Sequence, residues 1–310
     1  MVLSMKNEEG LATSEGIVSK MPIVRQDDLI HNQLSVMRKQ EATTYCCRDY
    51  LASYKEADID GSCRRKMADW FFQLADFCHV SRNNVAVAMD FLDRFLSTAT
   101  PGPDEKANDR ARKALEDRQE YQLAAMTCLY LAININETKE IDTTLLSVLS
   151  HGKYSKMEFV EMAEVIMFGL NWHLNGPTAI GIVSYLLEML PLEVTSSGFT
   201  TNTLKDLCQM QTEFSLQDYR FVTLKPSIIA TASICNAMRE IDHAEFSKGD
   251  RLQYLQSLVS ADMDPFSEEV EMAMGHLRKT FNASMDGLRQ VTSLVRLGDH
   301  DEKEVECMMG

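Results

Sequence analysis

Three charged side chains interrupt an otherwise apolar stretch of the sequence, AMDFLDRFLS, which spans residues 88–97. Asp90 and Arg94 are four residues apart, the spacing at which an acid and a base pair on the surface of a helix. Projection onto a helix places both opposite the apolar face, so we expect a solvent-exposed pair. Asp93 lies at the border of the apolar face, where a carboxylate can be partly covered.

Arg64 occupies a similar border position on the preceding helical segment, beside the apolar face that includes Met67, Trp70 and Phe71. A guanidinium and a carboxylate on neighbouring helices could form a half-buried bidentate ion pair, in which each charge depends on the other once water is removed. Periodicity alone leaves two alternatives open: Asp93 pairs with Arg64, or it is a solvated edge of its helix.

Patterns typical of catalysis and metal binding are missing from the sequence. DIDG at 58–61 begins like a calcium loop, but the twelfth residue, Asp69, falls inside a helix. The seven histidines have no metal-ligand spacing, and the chain has no glycine-rich phosphate loop, nucleophile elbow or Cys–His arrangement. We therefore expect no enzymatic activity, no cofactor and no metal ion.

Helical periodicity dominates the elements that carry these residues, and it predicts an all-α fold. A leading helix within 27–53 precedes two sets of five helices. The first set is predicted at 62–78, 82–98, 118–134, 142–150 and 155–171. NWHLNGPT then breaks the pattern, with Pro177 suited to the first turn of a helix. The second set is predicted near 178–190, 200–220, 224–240, 249–259 and 266–284.

The third helix of each set is rich in small residues, LAAMTCLYLA at 123–132 and IATASICNAM at 229–238. Small side chains let neighbouring helices approach closely, so each is expected to be the central helix of its set. The alternative is two unrelated helices of small residues. The polar insertion at 99–120 is expected to be a surface excursion with a short exposed helix, outside the core.

Bulk composition limits the class of protein. A length of 310 residues suits about two domains, and a net charge of -15 argues against nucleic-acid binding, which depends on Lys and Arg. No signal peptide and no apolar run long enough for a bilayer occur, so we expect a soluble, intracellular protein without a membrane partner. The expected divisions are a disordered tail (1–26), a leading helix with the first domain (27–175), a second domain (176–288) and a disordered acidic tail (289–310).

Several spaced motifs resemble the cyclin family. RRKMADWFFQLADFCHVSRNNVAVAMDFLDRFLS, YQLAAMTCLYLA and MAEVIMFGLNWHLNGPT resemble the first cyclin box, and FSLQDYRFVTLKPSIIATASICNAM resembles the second. The resemblance implies two tandem five-helix cyclin-box domains preceded by an N-terminal helix. It also implies that Arg64 and Asp93 form the structural ion pair of the first box. Cyclins are not enzymes; they hold the regulatory helix of a cyclin-dependent kinase inward.

The sequence departs from the family at the positions that grip the kinase. Cyclins usually carry a Lys after the central helix of the first box and a Glu in its fifth helix. Here Asn134 and Ala163 occupy those positions, while Glu161 or Glu164 serves if the local register differs. Glu137 is a further candidate for the kinase interface. A neutral residue loses the extra strength of charge-assisted hydrogen bonds, so weaker or different kinase contacts are expected.

The groove that recruits substrates in some cyclins is only half present. Met67, Trp70 and Gln122 match the family, whereas four lining positions differ: Cys63, Lys66, Gln73 and Tyr121. Lys66 replaces an apolar lining residue, which argues against binding of the basic-plus-leucine peptides that such grooves accept.

Two functional hypotheses follow from the resemblance. The first is a regulatory subunit that binds and activates the catalytic subunit of a cyclin-dependent kinase in cell-cycle control, with substrate or inhibitor proteins as further partners. The second is a cyclin-fold interaction or scaffold protein that activates no kinase. A DNA-binding transcription factor of related fold is disfavoured by the acidic charge balance. The family also implies a location in the nucleus and cytoplasm.

Overall fold

The structure, a computed structural model, describes residues 26–55, 57–99, 105–138, 140–196 and 198–282. The predicted tails, 1–26 and 289–310, lie outside the described residues, apart from residue 26. Within the described ranges the secondary structure is helical, with no β-strand. The all-α prediction is therefore confirmed.

The first half of the chain contains a leading helix, the five predicted helices and two further ones. In chain order these are α1 (Gln26–Ala42), α2 (Tyr50–Ser53), α3 (Gly61–Cys78), α4 (Asn83–Ser97), α5 (Glu105–Glu116), α6 (Arg118–Asn136), α7 (Thr143–Leu149) and α8 (Lys156–Gly169). We call α3, α4, α6, α7 and α8 the first unit. The residues that resemble a calcium loop start α3, because the Asp60 carboxylate accepts hydrogen bonds from the Ser62 and Cys63 amides and so caps the helix.

The second half repeats this plan. Its helices are α9 (Ala179–Leu187), α10 (Leu192–Thr195), α11 (Gly198–Gln217), α12 (Pro226–Glu240), α13 (Lys248–Ser260) and α14 (268–282, where 282 is the last described residue). A 3₁₀ turn at Tyr219–Phe221 precedes α12. We call α9, α11, α12, α13 and α14 the second unit.

The helices rich in small residues lie at the centres of the two units, as predicted. In the first unit, α6 contacts all four companions, and Ala124, Ala125 and Cys128 on it are fully buried. In the second, α12 packs against α9 and α11 with Ala230 and Ala232 buried. Small side chains at these positions let the surrounding backbones approach the central helix closely.

The polar insertion differs from the prediction of a surface excursion outside the core. Helix α5 forms within it and packs against α4, α6 and α8. Ala111, Ala114 and Leu115 are completely buried, and a Cβ atom added to Gly169 of α8 would lie 3.1 Å from the Cβ of Ala107. The helix is strongly amphipathic, but its apolar side is mostly alanine, and its polar average composition concealed the buried face. The insertion is therefore a sixth helix of the first core.

Helix α1 packs on the second unit, although it precedes the first in sequence. Ile30 and Leu34 are buried in the same apolar cluster as Ile182 and Leu186 of α9. Near its end, the Glu41 carboxylate accepts a 2.9 Å hydrogen bond from the Ser227 amide, one of the free amides in the first turn of α12. The chain from 43 to 55, which we call the strap, then crosses to the first unit.

Candidate functional site

Arg64 of α3 and Asp93 of α4 form a buried bidentate ion pair. The Arg64 Nε lies 2.9 Å from Asp93 Oδ1 and its Nη2 lies 2.7 Å from Oδ2. Both side chains are almost completely buried, and the hydroxyl of Tyr50 in the strap donates a further 2.9 Å hydrogen bond to Asp93 Oδ1. The structure thus joins the two residues that the sequence placed at the borders of neighbouring helices.

The same guanidinium also reaches the second unit. Arg64 Nη1 donates to the carbonyl oxygen of Leu216, in the last turn of α11. The C-terminal end of a helix carries partial negative charge, so a cation there is favourable. Burial by itself would lower the pKa of Arg64, but the charge and the hydrogen bonds of the Asp93 carboxylate have the opposite effect, and the net pKa is raised. The side chain is therefore permanently charged. One pair therefore links α3, α4, the strap and α11.

The prediction of a solvent-exposed Asp90–Arg94 pair is wrong. The two side chains do pair, at 2.8 Å, but Arg94 is only 5% exposed. The ring of Tyr45 in the strap covers its guanidinium at 4.7 Å, and Arg94 also donates to the His173 carbonyl at 2.9 Å. Burial raises the pKa of Asp90. Periodicity within one helix could not show that the strap covers this side of α4.

A cavity of about 190 Å³ lies between the strap, α4 and the second unit. Its lining includes Glu41, Tyr45, Met89, Asp90 and Ile229. Burial raises the pKa of both Glu41 and Asp90. Each carboxylate already accepts hydrogen bonds from the protein.

Metal-binding and membrane-spanning features do not occur in the described part of the chain. No group of three or more His, Cys, Asp or Glu side chains is placed to hold a metal ion there. None of the helices in these residues combines the length and the apolar character needed to cross a bilayer.

Asn134 and Glu137, two candidates for the kinase interface, hold the fold together at the end of α6. The Asn134 side chain donates to the Ile141 carbonyl at 3.0 Å and accepts from the Ile141 amide at 2.8 Å. The Glu137 carboxylate accepts from the Ser81 amide at 2.9 Å and from the Asn84 side chain at 2.7 Å. The side-chain amide of Asn134 thus already forms its hydrogen bonds within the chain.

On α8, the three remaining candidates face in different directions. Ala163 is 6% exposed and points into the core, so it presents no surface to a partner. Glu161 and Glu164 are exposed on the opposite side. The carboxylates available on this helix are therefore those of Glu161 and Glu164.

An exposed apolar stripe runs along the same side of α8, and the sequence analysis missed it. Met157, Val160 and Phe168 are exposed there, and Trp172 follows just beyond the helix end. The Phe168 and Trp172 rings meet edge to face at 5.7 Å while each is more than half exposed. The available signal was that apolar residues occur on the glutamate-bearing side of α8 as well as on its buried side, which is unusual for a helix with one face in water.

Trp172 also has a strained backbone. Its φ is 59°, and Asn171 before it has a φ of 50°. A left-handed Asn commonly ends a helix, but a bulky residue in that region is a conformational outlier. Such strain is characteristic of functional sites, where it orients a particular side chain.

The predicted substrate-docking residues lie on α3 and α6. Met67 and Trp70 are half-buried and pack against the first core. The Gln122 side-chain oxygen accepts hydrogen bonds from Lys153 Nζ at 3.0 Å and from the Tyr154 hydroxyl at 3.1 Å. Farther along α3, Phe77 is 71% exposed.

Two family models match the chain. The model described as "Cyclin, N-terminal domain" matches residues 32–175, and the model described as "Cyclin, C-terminal domain" matches residues 184–286. Together they cover most of the 310 residues. The two ranges contain the first unit and nearly all of the second.

The individual relatives have low sequence identity to this chain, but they align with most of its length. G1/S-specific cyclin-D2 of Xenopus laevis is 24% identical over 266 residues, which are 83% of this chain and 83% of the relative. Cyclin-A2-1 of Oryza sativa subsp. japonica is 22% identical over 215 residues, covering 68% and 40% of the two chains. A solved viral cyclin from herpesvirus saimiri superposes with a TM-score of 0.57 at 14% identity, covering 82% of this chain and 96% of that one. At this identity, the structural match shows the fold alone.

Proposed function

The chain belongs to the cyclin family, and from this premise we propose that it binds and activates a cyclin-dependent protein kinase as its regulatory subunit in cell-cycle control. In this role the chain itself carries no catalysis. Its contribution is a rigid surface against which a mobile helix of the kinase packs.

The observation that carries the proposal is the apolar surface at the end of the first unit. Of the sixteen large apolar side chains exposed in the described residues, six lie between 135 and 172: Ile135, Val148, Met157, Val160, Phe168 and Trp172. Clustering of exposed apolar side chains on one helix face, as on α8, marks an interaction site in soluble proteins. The aromatic pair of Phe168 and Trp172 is suited to be its anchor, since aromatic residues dominate binding energy at interfaces.

Activation then follows from packing. A kinase helix buried against the α8 stripe is held inward, which forms the kinase's own Lys–Glu ion pair and completes its ATP site. Glu161 and Glu164 border the stripe and are exposed, so they can accept hydrogen bonds from the kinase. They take the place of the carboxylate that the family carries at the position of Ala163.

The second candidate, a cyclin-fold protein that activates no kinase, is favoured by the state of Asn134 and Ala163. One side chain is bonded to Ile141 and the other is buried. Restoring the family charges is not a clean test, because Ala163→Glu would bury a carboxylate and Asn134→Lys would release Ile141. Measuring kinase activity in the complex separates the two candidates.

The experiment is co-purification of the full chain with the cyclin-dependent kinases of the same cell, followed by a phosphorylation assay. Phe168→Ala is expected to weaken kinase binding about ten-fold or more, since it removes an aromatic anchor. It should leave the free energy of unfolding within about 0.5 kcal/mol of wild type, because the ring is largely exposed. Phe199→Ala, which removes a similarly exposed ring from α11, is the matched control and should bind normally.

Three outcomes are informative. A complex with strongly increased kinase activity supports the proposal. A complex with an inactive kinase supports the scaffold candidate. Failure to bind any of these kinases contradicts both kinase binding and activation.

A further inference from the structure

The cavity of about 190 Å³ between the strap, α4 and the second unit takes no part in the proposed kinase contact, which uses α8. The strap forms one wall with Tyr45 and Cys46, and α4 contributes Ala86, Met89 and Asp90. The opposite wall comes from α11 and α12 of the second unit. A molecule inside this cavity would therefore contact both units and the strap at the same time.

Most of the lining is apolar, which is the usual character of a small-molecule site. Met89 of α4, Leu216 of α11 and Ile229 of α12 all contribute to it. A cavity of about 150 Å³ is large enough for benzene, so this one accommodates a single ring with a short substituent. Transfer of such a ring from water to the apolar lining is favourable.

One carboxylate in the lining has an oxygen without a hydrogen-bond donor. Arg94 binds Oδ2 of Asp90 through Nε and Nη2, each at 2.8 Å. Among the residues that the structure describes, none donates to the other oxygen, Oδ1. The Asp90 side chain is 20% exposed and lies in the cavity wall. A ligand N–H group at Oδ1 would supply the missing hydrogen bond.

The cations around the cavity offer little to an anionic ligand. Each nitrogen of the Arg64 guanidinium already donates, two of them to Asp93 and one to the Leu216 carbonyl. Lys225 is the other cation of the lining, and it is exposed, where salt screens its charge. A carboxylate ligand would therefore find no buried donor, whereas an ammonium group at Asp90 forms a charge-assisted hydrogen bond.

We propose that the cavity is a binding site for a small primary amine. Its ammonium group binds Asp90, and its aromatic or aliphatic body lies between Met89, Leu216 and Ile229. Such a ligand bridges the strap, α4 and the second unit, so its binding stabilises their closed arrangement by mass action. This binding is independent of the kinase, because no residue of α8 lines the cavity.

Benzylamine is the probe, since it joins one ring to one ammonium group. Isothermal titration calorimetry with the full chain compares it with benzyl alcohol, a neutral analogue of the same shape, and with benzoate, which carries the opposite charge. We expect benzylamine to bind at least about ten-fold more tightly than benzoate, with benzyl alcohol between them. No saturable binding of benzylamine, or equally tight binding of either analogue, would overturn the proposal.

A charge variant locates the ammonium group. Asp90→Asn keeps an oxygen for Arg94, and it is expected to weaken benzylamine binding about ten-fold while changing that of benzyl alcohol less than about two-fold. Glu268→Gln, at an exposed position of α14, is the matched control, because it removes the same charge from a chain of net charge -15. Equal effects of the two variants would show a response to overall charge alone and would contradict the site.

A thiol in the cavity wall gives a readout that needs no substitution. Cys46 is exposed and lines the cavity, so saturating benzylamine should slow its alkylation by iodoacetamide several-fold. Peptide mass spectrometry should show no change at Cys63 of α3, which lies outside the lining. Ala86→Leu, which fills the cavity, should abolish both this protection and the calorimetric binding, whereas Ala52→Leu, at an exposed position of the strap, should preserve them. Equal protection of the two thiols, or normal binding by Ala86→Leu, would place the amine elsewhere and exclude the cavity.

Discussion

At the scale of single residues, Arg64 is the side chain on which most depends. Its guanidinium has five donors in a rigid fork, and here it binds Asp93 with two of its nitrogens and the Leu216 carbonyl with the third. Nothing replaces these contacts if the side chain is shortened. Asp93 would then remain buried with the Tyr50 hydroxyl as its main hydrogen-bond donor.

Arg64→Ala is therefore expected to lower the free energy of unfolding by about 3–5 kcal/mol, the usual cost of leaving a buried charge unpaired. Urea denaturation would measure the change. The double variant Arg64→Met with Asp93→Leu should recover at least about 1 kcal/mol of it, since no charge then stays buried. Arg65→Ala, at the exposed neighbouring position, is the control and should change stability little. A single variant as stable as this control would contradict the role assigned to the pair.

At the scale of helices, α5 shows how a polar insertion can become part of a core. It presents alanines to α4, α6 and α8, and its charged side chains anchor it to Glu120 of α6. Lys113 lies 2.9 Å from Glu120, and Arg110 also pairs with that carboxylate. Because α5 lies directly against α8, it supports the helix that carries the proposed kinase surface.

Enlarging a buried alanine on α5 tests this packing. Ala111→Leu is expected to cost about 1–3 kcal/mol, since the site is completely enclosed and cannot accept added methyl groups without shifting its neighbours. Lys106→Leu on the exposed side of the same helix should stay within about 0.5 kcal/mol of wild type. Chemical denaturation measures both. If the two variants behave alike, α5 is not part of the cooperative core.

At the scale of the whole molecule, the strap packs against residues 170–178, which we call the linker between the units. Tyr45 of the strap covers Arg94 and touches His173 of the linker. The hydroxyl of Tyr219, in the 3₁₀ turn before α12, accepts a hydrogen bond from the Leu51 amide and donates one to Asp49. Gly176 lets this closure form, because a Cβ atom there would lie 2.4 Å from the Tyr45 ring.

Gly176→Ala should therefore displace Tyr45 and destabilise the protein by about 1–3 kcal/mol. Hydrogen exchange should quicken in the strap, at 43–55, more than within α12. Gly275→Ala on α14 has open space around it and should instead stabilise the chain by about 0.5–1 kcal/mol. Unchanged exchange in the strap of the Gly176→Ala variant would show that the two segments are not coupled.

Local patterns alone determined a large part of this protein. Helical spacing predicted the ten helices of the two units, because an amphipathic period is a property of neighbouring residues. Small residues likewise identified the two central helices, and spaced motifs indicated the family. Border positions brought Arg64 and Asp93 into consideration as partners, since each lies beside the apolar face of its own helix.

Tertiary structure alone decided what covers each helix from outside. The burial of Arg94 depends on the strap, and the burial of α5 depends on three helices that close over its alanine side. The link from Arg64 to Leu216 depends on a contact 152 residues apart in sequence. The exposed stripe of α8 likewise became visible only in the folded chain. An apolar side chain in a sequence is equally consistent with a core and with a surface awaiting a partner, and only the packing of the remaining helices distinguishes the two.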